Sequence, residues 1–138
     1  MDWSAYHDAW NRHDGEAVAS FFTVDGVYAD QTLGQRNEGR EAIKRFVNST
    51  GGFSSDLRIV QLDMFTTDDR YALVWEMTGT HDQSSQDSAM PATGEKFSIR
   101  GASIGRLEGG KIKKNTDYWN MIEFLTQVGL MPAAVPSR

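Results

Sequence analysis

The chain has no cysteine. Disulfides, zinc–thiolate centres and thiol nucleophiles are thereby excluded together, while the redox compartment stays open. Histidine is scarce as well: His7, His13 and His81 form no i, i+4 pair, so no metal site is expected. Positive charge is in deficit, 14 Lys plus Arg against 19 Asp plus Glu for a net charge of −5. That balance argues against nucleic acid or an anionic membrane surface as partner. No apolar run approaches the ~20 residues of a membrane span. The opening segment MDWSAYHDAW lacks the basic and apolar regions of a secretion signal. A cytoplasmic protein with a small neutral ligand is the expectation. Gly51-Gly52 and Gly109-Gly110 have no phosphate-loop context and read as turns, so no nucleotide cofactor is expected. Acid/base chemistry is what remains.

What is present is aromatic residues, carboxylates and strand-forming runs. The length of 138 residues suits one domain over residues 1–138, with the proline-containing stretch 131–138 as a terminal arm. Trp3, Tyr6, His7 and Trp10 follow i, i+3, i+4, i+7 spacing and share one helical stripe. Trp3 and Trp10 suit the core, whereas the phenol of Tyr6 needs a polar partner and can point into a pocket. Asp14 is a good N-cap for a second helix burying Ala17, Val18, Phe21 and Phe22. Residues 26–30 read as a short strand closed by Asp30, residues 31–38 as a polar loop, and Glu41–Asn48 as a third helix.

The second half is mostly strand. Residues 57–66 and 71–81 flank an Asp68-Asp69 turn and carry apolar residues on both faces, which predicts a sheet with helices over one face and a ligand cavity or a partner subunit over the other. A polar stretch, 82–94, suits a lid or a plain connection. Residues 95–107 and 111–118 form a hairpin about Glu108-Gly109-Gly110, and Asp117 stands at its end beside Tyr118 and Trp119. A closing helix follows, with Trp119, Ile122, Leu125 and Val128 as its apolar stripe and Gly129 as its stop. The whole is α+β, with three to four helices on one face of a curved, mostly antiparallel sheet.

The segments YHDAWNRHDGEAVASFFTVDGVYAD, GREAIKRF, MTGTHD…MPATGEKFSIRG and LEGGKIKKNTDYWNMIEFLTQVG resemble, in order and spacing, the SnoaL-like polyketide cyclases of the nuclear-transport-factor-2-like superfamily. The resemblance implies a conical half-barrel with an apolar pocket between sheet and helices, and a homodimer. It also implies two placements of an acid/base residue. In the cyclase pattern the residue falls on Asp117, which would remove and return protons during ring closure. In the ketosteroid isomerase pattern a helical tyrosine, a base aspartate and an oxyanion donor fall on Tyr6, Asp30 and Ser103.

Both placements ask for the same physics. A carboxylate that takes a proton α to a carbonyl needs burial to raise its pKa, and donors where the enolate oxygen forms. Trp10, Tyr28, Trp75, Phe97 and Trp119 are the candidate walls, and Tyr6, His81 and Ser103 the candidate donors beside Asp30 and Asp117. Strand alternation puts Ser103 and Arg100 on opposite faces. The small, apolar face of Phe97, Ile99 and Gly101 assigns Ser103 to the pocket. Two readings stay open: a cofactor-independent cyclase or isomerase acting on a small apolar carbonyl compound such as a polyketide or terpenoid, and a binding module of the same fold without chemistry.

Overall fold

The computed structural model describes residues 1–50, 53–84 and 91–131. Its elements run α1 (Trp3–Asn11), α2 (Gly15–Ser20), β1 (Phe22–Asp30), β2 (Gln35–Glu38), α3 (Arg40–Thr50), β3 (Arg58–Thr66), β4 (Arg70–Thr80), β5 (Lys96–Glu108), β6 (Lys111–Trp119) and α4 (Met121–Gln127). The strands form one sheet in the order β2-β1-β6-β5-β4-β3. Every pairing is antiparallel except β1 with β6. Register shifts between Phe22 and Val27, Gln61 and Asp63, and Arg106 and Leu107 mark bulges. Bulges bend a strand and increase its twist, which is how an open sheet curls into a cone. Among the described residues no helix is long and apolar enough to cross a membrane.

Local chemistry explains the ends of the elements. Asp2, Asp14 and Asn120 cap α1, α2 and α4, each side chain accepting from the backbone N–H three residues on. The β5–β6 hairpin turns on Gly109 and Gly110, both at positive φ, the two-residue geometry that matches strand twist.

Three expectations need correction. The second helix stops at Ser20, and Phe22 is fully buried as the first residue of β1 instead. The run Phe22-Thr23-Val24 is aromatic and β-branched, which favours a pleated backbone over a continued helix. The polar stretch 31–38 contains the edge strand β2, whose residues lack an apolar alternation because it borders solvent. Trp119 ends β6 rather than opening α4: the cap at Asn120 resets the helical phase, so Phe124 and Val128 face inward while Ile122 is exposed.

All the helices lie on the concave side, with Tyr6, Ala9, Trp10, Val18, Phe22, Ile43, Phe46 and Val47 in the main core. A second cluster of Leu57, Phe97, Ile99, Phe124 and Val128 fills the end under α4. On the outer face Val74, Ile104 and Tyr118 are exposed, and no described helix lies over them.

The edge strand β3 is tied to α1 by one side chain. Asn11 donates from Nδ2 to the carbonyl of Ile59 at 2.9 Å, and the Ile59 N–H donates to Asn11 Oδ1 at 2.7 Å. The amide thus stands in for a missing strand partner. Asn11→Ala leaves both backbone groups unpaired, and a loss of about 1–3 kcal/mol is expected. It reads as a lower urea midpoint with an unchanged slope.

Candidate active site

The strand register brings the predicted carboxylates together. Asp30 of β1 stands opposite Asp117 of β6, Asp117 opposite Ser103 of β5, and Ser103 opposite Leu73 of β4. Residues two apart on a strand share a face. The next row is therefore Tyr28, Asn115, Gly105 and Tyr71, and the row on the other side is Trp119, Gly101 and Trp75. These three rows floor a cavity of about 320 Å³. Tyr6, Trp10 and Phe46 roof it from the helices, and Leu33, Gln35, Ser49 and Met121 line its outer part.

Asp117 is the hub. Its Oδ1 accepts from Ser103 Oγ at 2.5 Å and from Asn115 Nδ2 at 2.8 Å, and its Oδ2 accepts from the Tyr28 hydroxyl. Each donor is held in turn. Trp75 Nε1 donates to Ser103 Oγ at 2.9 Å, and the Tyr71 hydroxyl donates to Asn115 Oδ1 at 2.5 Å. Such second partners fix the rotamers of the groups that touch the carboxyl.

Burial pushes the Asp117 carboxyl up to about 6. The bonds from Ser103, Tyr28 and Asn115 pull against that rise, and the nearby charge of Asp30 adds to it. Desolvation therefore outweighs three hydrogen bonds. Tyr28 is raised well above the usual phenol range by burial and then by the charge of Asp117. Burial likewise raises Tyr6 and Tyr71, so all three phenols keep their protons, and Tyr28 and Tyr71 act as donors. His7, at the cavity wall, is lowered by burial and is neutral at physiological pH.

Asp30 has different company. Its Oδ1 accepts from the Leu33 N–H at 2.8 Å and from Trp119 Nε1 at 3.2 Å, and its Oδ2 accepts from the same indole at 3.0 Å. Thr32 Oγ1 donates to the Trp119 carbonyl and accepts from its N–H, which pins the 31–34 turn to the end of β6.

Of the residues singled out from the sequence, Tyr6, Trp10, Tyr28, Asp30, Trp75, Ser103, Asp117 and Trp119 all line the cavity. Arg100 lies on the outer face beside Glu76, as strand alternation requires. Phe97 packs one layer behind, against Phe53 and Phe124. His81 is also outside the lining: it is buried between Phe53 and Phe124, with Nδ1 on Thr93 Oγ1. Its position makes it a core histidine, out of reach of a guest in the cavity. Asn115 and Tyr71 went unrecognised. Asn115 had a usable signal, since an Asn two residues before a strand Asp shares its face. Among the described residues no group of three His, Asp or Glu side chains is placed to hold a metal.

Comparison with known proteins agrees with this fold. The chain spans 97% of itself and 96% of a Catenulispora acidiphila protein with a ketosteroid isomerase-like fold, solved in complex with trimethylamine, at 22% identity and a TM-score of 0.79. AclR, a candidate hydroxylase from Streptomyces galilaeus, matches 96% of this chain with 82% of its own at 21% identity and a TM-score of 0.80. A candidate polyketide cyclase from Xanthomonas campestris matches 91% with 93% of its own at 25% identity and a TM-score of 0.75. No curated protein matches the sequence. The family described as SnoaL-like domain matches residues 3–115, a span that takes in Tyr6, Asp30 and Ser103 and stops two residues short of Asp117. A cone with its polar row on β1, β5 and β6 and a family match across most of its length lead to one assignment: the chain belongs to the SnoaL-like domain family.

Proposed function

We propose that this protein is a cofactor-independent acid/base enzyme of the cyclase or isomerase type, in which Asp117 shuttles a proton α to the carbonyl of a small guest. The observation that carries this reading is Asp117 itself: a buried carboxyl near neutrality, facing a cavity walled by rings. A general base works best when its pKa lies near the working pH. The hydroxyls of Tyr28 and Ser103 can donate to the carboxylate or accept from the carboxylic acid, so both protonation states of Asp117 are satisfied. Tyr6, a protonated phenol in the roof, is the donor assigned to the developing enolate oxygen. At about 320 Å³ the cavity lies at the small end of the ~300–1,000 Å³ range of ligand sites, which favours a compact guest over a fused polycycle. The trimethylamine complex of the Catenulispora acidiphila relative supports small-guest binding in this fold. The exposed Val74, Ile104 and Tyr118 on the outer sheet face are the surface we assign to a homodimer.

A panel of small cyclic ketones in deuterated buffer, followed by proton NMR, tests the chemistry. Exchange at the α carbon is expected to rise with pH through about 6 as Asp117 loses its proton. Asp117→Asn is expected to slow it by about 10²–10⁴-fold. A parental exchange rate in Asp117→Asn would sink the proposal. A binding module without chemistry is favoured by one observation, that Asp117 already accepts three hydrogen bonds. Saturable ligand binding with no exchange across the panel is its signature.

A further inference from the structure

We infer that the guest of this cavity carries a cationic amine centre, seated against the aromatic walls with Asp30 as its counter-charge. The inference rests on reading this cavity as the functional site and adds the chemical class of what enters it. Its first support is a charge imbalance. Two aspartates line the cavity, and among the described residues no Lys or Arg does. The basic side chains that form ion pairs, Arg12, Arg36, Arg100 and Lys113, do so on the surface. A purely apolar guest would seal two carboxylates away from water with no positive partner, which is the costly arrangement for buried charge. A cation brings its own compensation.

The second support is the division of labour between the two acids. Every partner of Asp30 is an N–H group, from Leu33 and Trp119, that donates and cannot accept. Asp30 thus serves only as an acceptor in its protein contacts. Asp117 has two reversible hydroxyls instead. Oδ2 of Asp30 carries a single hydrogen bond, so it has a lone pair free for a guest.

The third support is the wall. Trp10, Tyr28, Phe46, Trp75 and Trp119 border the same hollow. The face of an aromatic ring attracts a desolvated ammonium, most strongly for Trp, and boxes of such rings are built for alkylated amines. With Asp30 adjacent to Asp117 in the register, an amine held at Asp30 places its neighbouring carbon atoms beside Asp117. The substrate class is then a small carbonyl compound bearing a tertiary or quaternary ammonium group.

Choline and its uncharged carbon isostere 3,3-dimethylbutan-1-ol have the same shape and differ in charge, so they separate the cation from its volume. Titrating each into the intact protein at about pH 8, by calorimetry or by intrinsic tryptophan fluorescence, is expected to show choline bound about tenfold or more tightly. Asp30→Asn is expected to abolish that preference. Equal affinities for the pair, no binding of choline at millimolar concentration, or a preference that survives Asp30→Asn would overturn the inference. The comparison on the parental protein stands even if a variant fails to fold. Ketone exchange without a choline preference rejects the cation and leaves the proton chemistry intact; a choline preference without exchange keeps the cation and rejects the enzyme.

Discussion

Asp117→Asn is expected to make the protein more stable at about pH 8 while removing the proton chemistry. The carboxyl titrates near 6 in the folded chain against 3.8 when exposed. Below about pH 4 it is protonated in both the folded and unfolded states and makes no difference to stability. As pH rises from there the unfolded chain releases its proton first, and the folded chain must follow or lag at a cost that is complete above about pH 6. A gap of about 2 pKa units corresponds to about 3 kcal/mol of folding stability lost on the alkaline side. Asparagine has no proton to lose. Its amide oxygen can accept from Ser103 and Asn115 as Asp117 Oδ1 does, and its NH₂ can donate to the Tyr28 hydroxyl, which turns to accept. The network survives without the buried charge. Urea unfolding of both proteins at about pH 8 and at about pH 4 tests this: the variant should gain up to about 3 kcal/mol at the higher pH and little at the lower. A destabilisation of equal size at both pH values would show that Asp117 is a structural acceptor and nothing more. Stability given up at one side chain is the usual mark of a residue kept for chemistry.

Several of these features were legible in the residues alone. The hairpin about Gly109-Gly110, the N-cap at Asp14 and the i, i+3, i+4, i+7 stripe of α1 are local signals, and each element formed where its signal lay. Alternation along β5 placed Ser103 inside and Arg100 outside. Elements governed by their neighbours were harder. β2 exists because β1 offers it a ladder, and no period in Gln35–Glu38 announces it. The register that sets Asp30 beside Asp117 is a parallel pairing between strands far apart in the chain, which short-range pattern does not encode. His81 shows the converse error: a strand-end histidine reads like a catalytic group until its surroundings, Phe53 and Phe124, are seen.

The small residues of β5 decide whether the cavity exists, and Gly101→Ala is expected to collapse it. A Cβ at Gly101 would fall 2.3 Å from Cη2 and 2.4 Å from Cζ2 of Trp75, inside any real contact distance. The ring lies across the glycine because nothing stands there, and that position brings Nε1 to Ser103. Two opposing effects can be weighed. Alanine restricts the unfolded chain and favours a strand interior, a gain of about 0.5–1 kcal/mol. Displacing a buried indole from a packed wall costs about 1–3 kcal/mol or more, with a further ~1 kcal/mol when its hydrogen bond to Ser103 is lost. The clash wins, so the variant should unfold at about 2–3 kcal/mol lower stability. The ring has only the cavity to move into, so guest affinity should fall with it. Replacing the ring reverses the sign: in the Trp75→Leu background the same Gly101→Ala change should cost nothing or stabilise by about 0.5–1 kcal/mol, a coupling that a double-mutant cycle reads directly. Additive costs in that cycle would mean that the glycine serves the backbone and not the ring. Gly105 faces Tyr71 in the same way, with a Cβ 2.2 Å from the phenol carbon, so Gly105→Ala should break the Tyr71–Asn115–Asp117 chain from the other side. The two glycines and the serine between them form the face of β5 that lets a tryptophan and a tyrosine from β4 reach across to the donors of one aspartate.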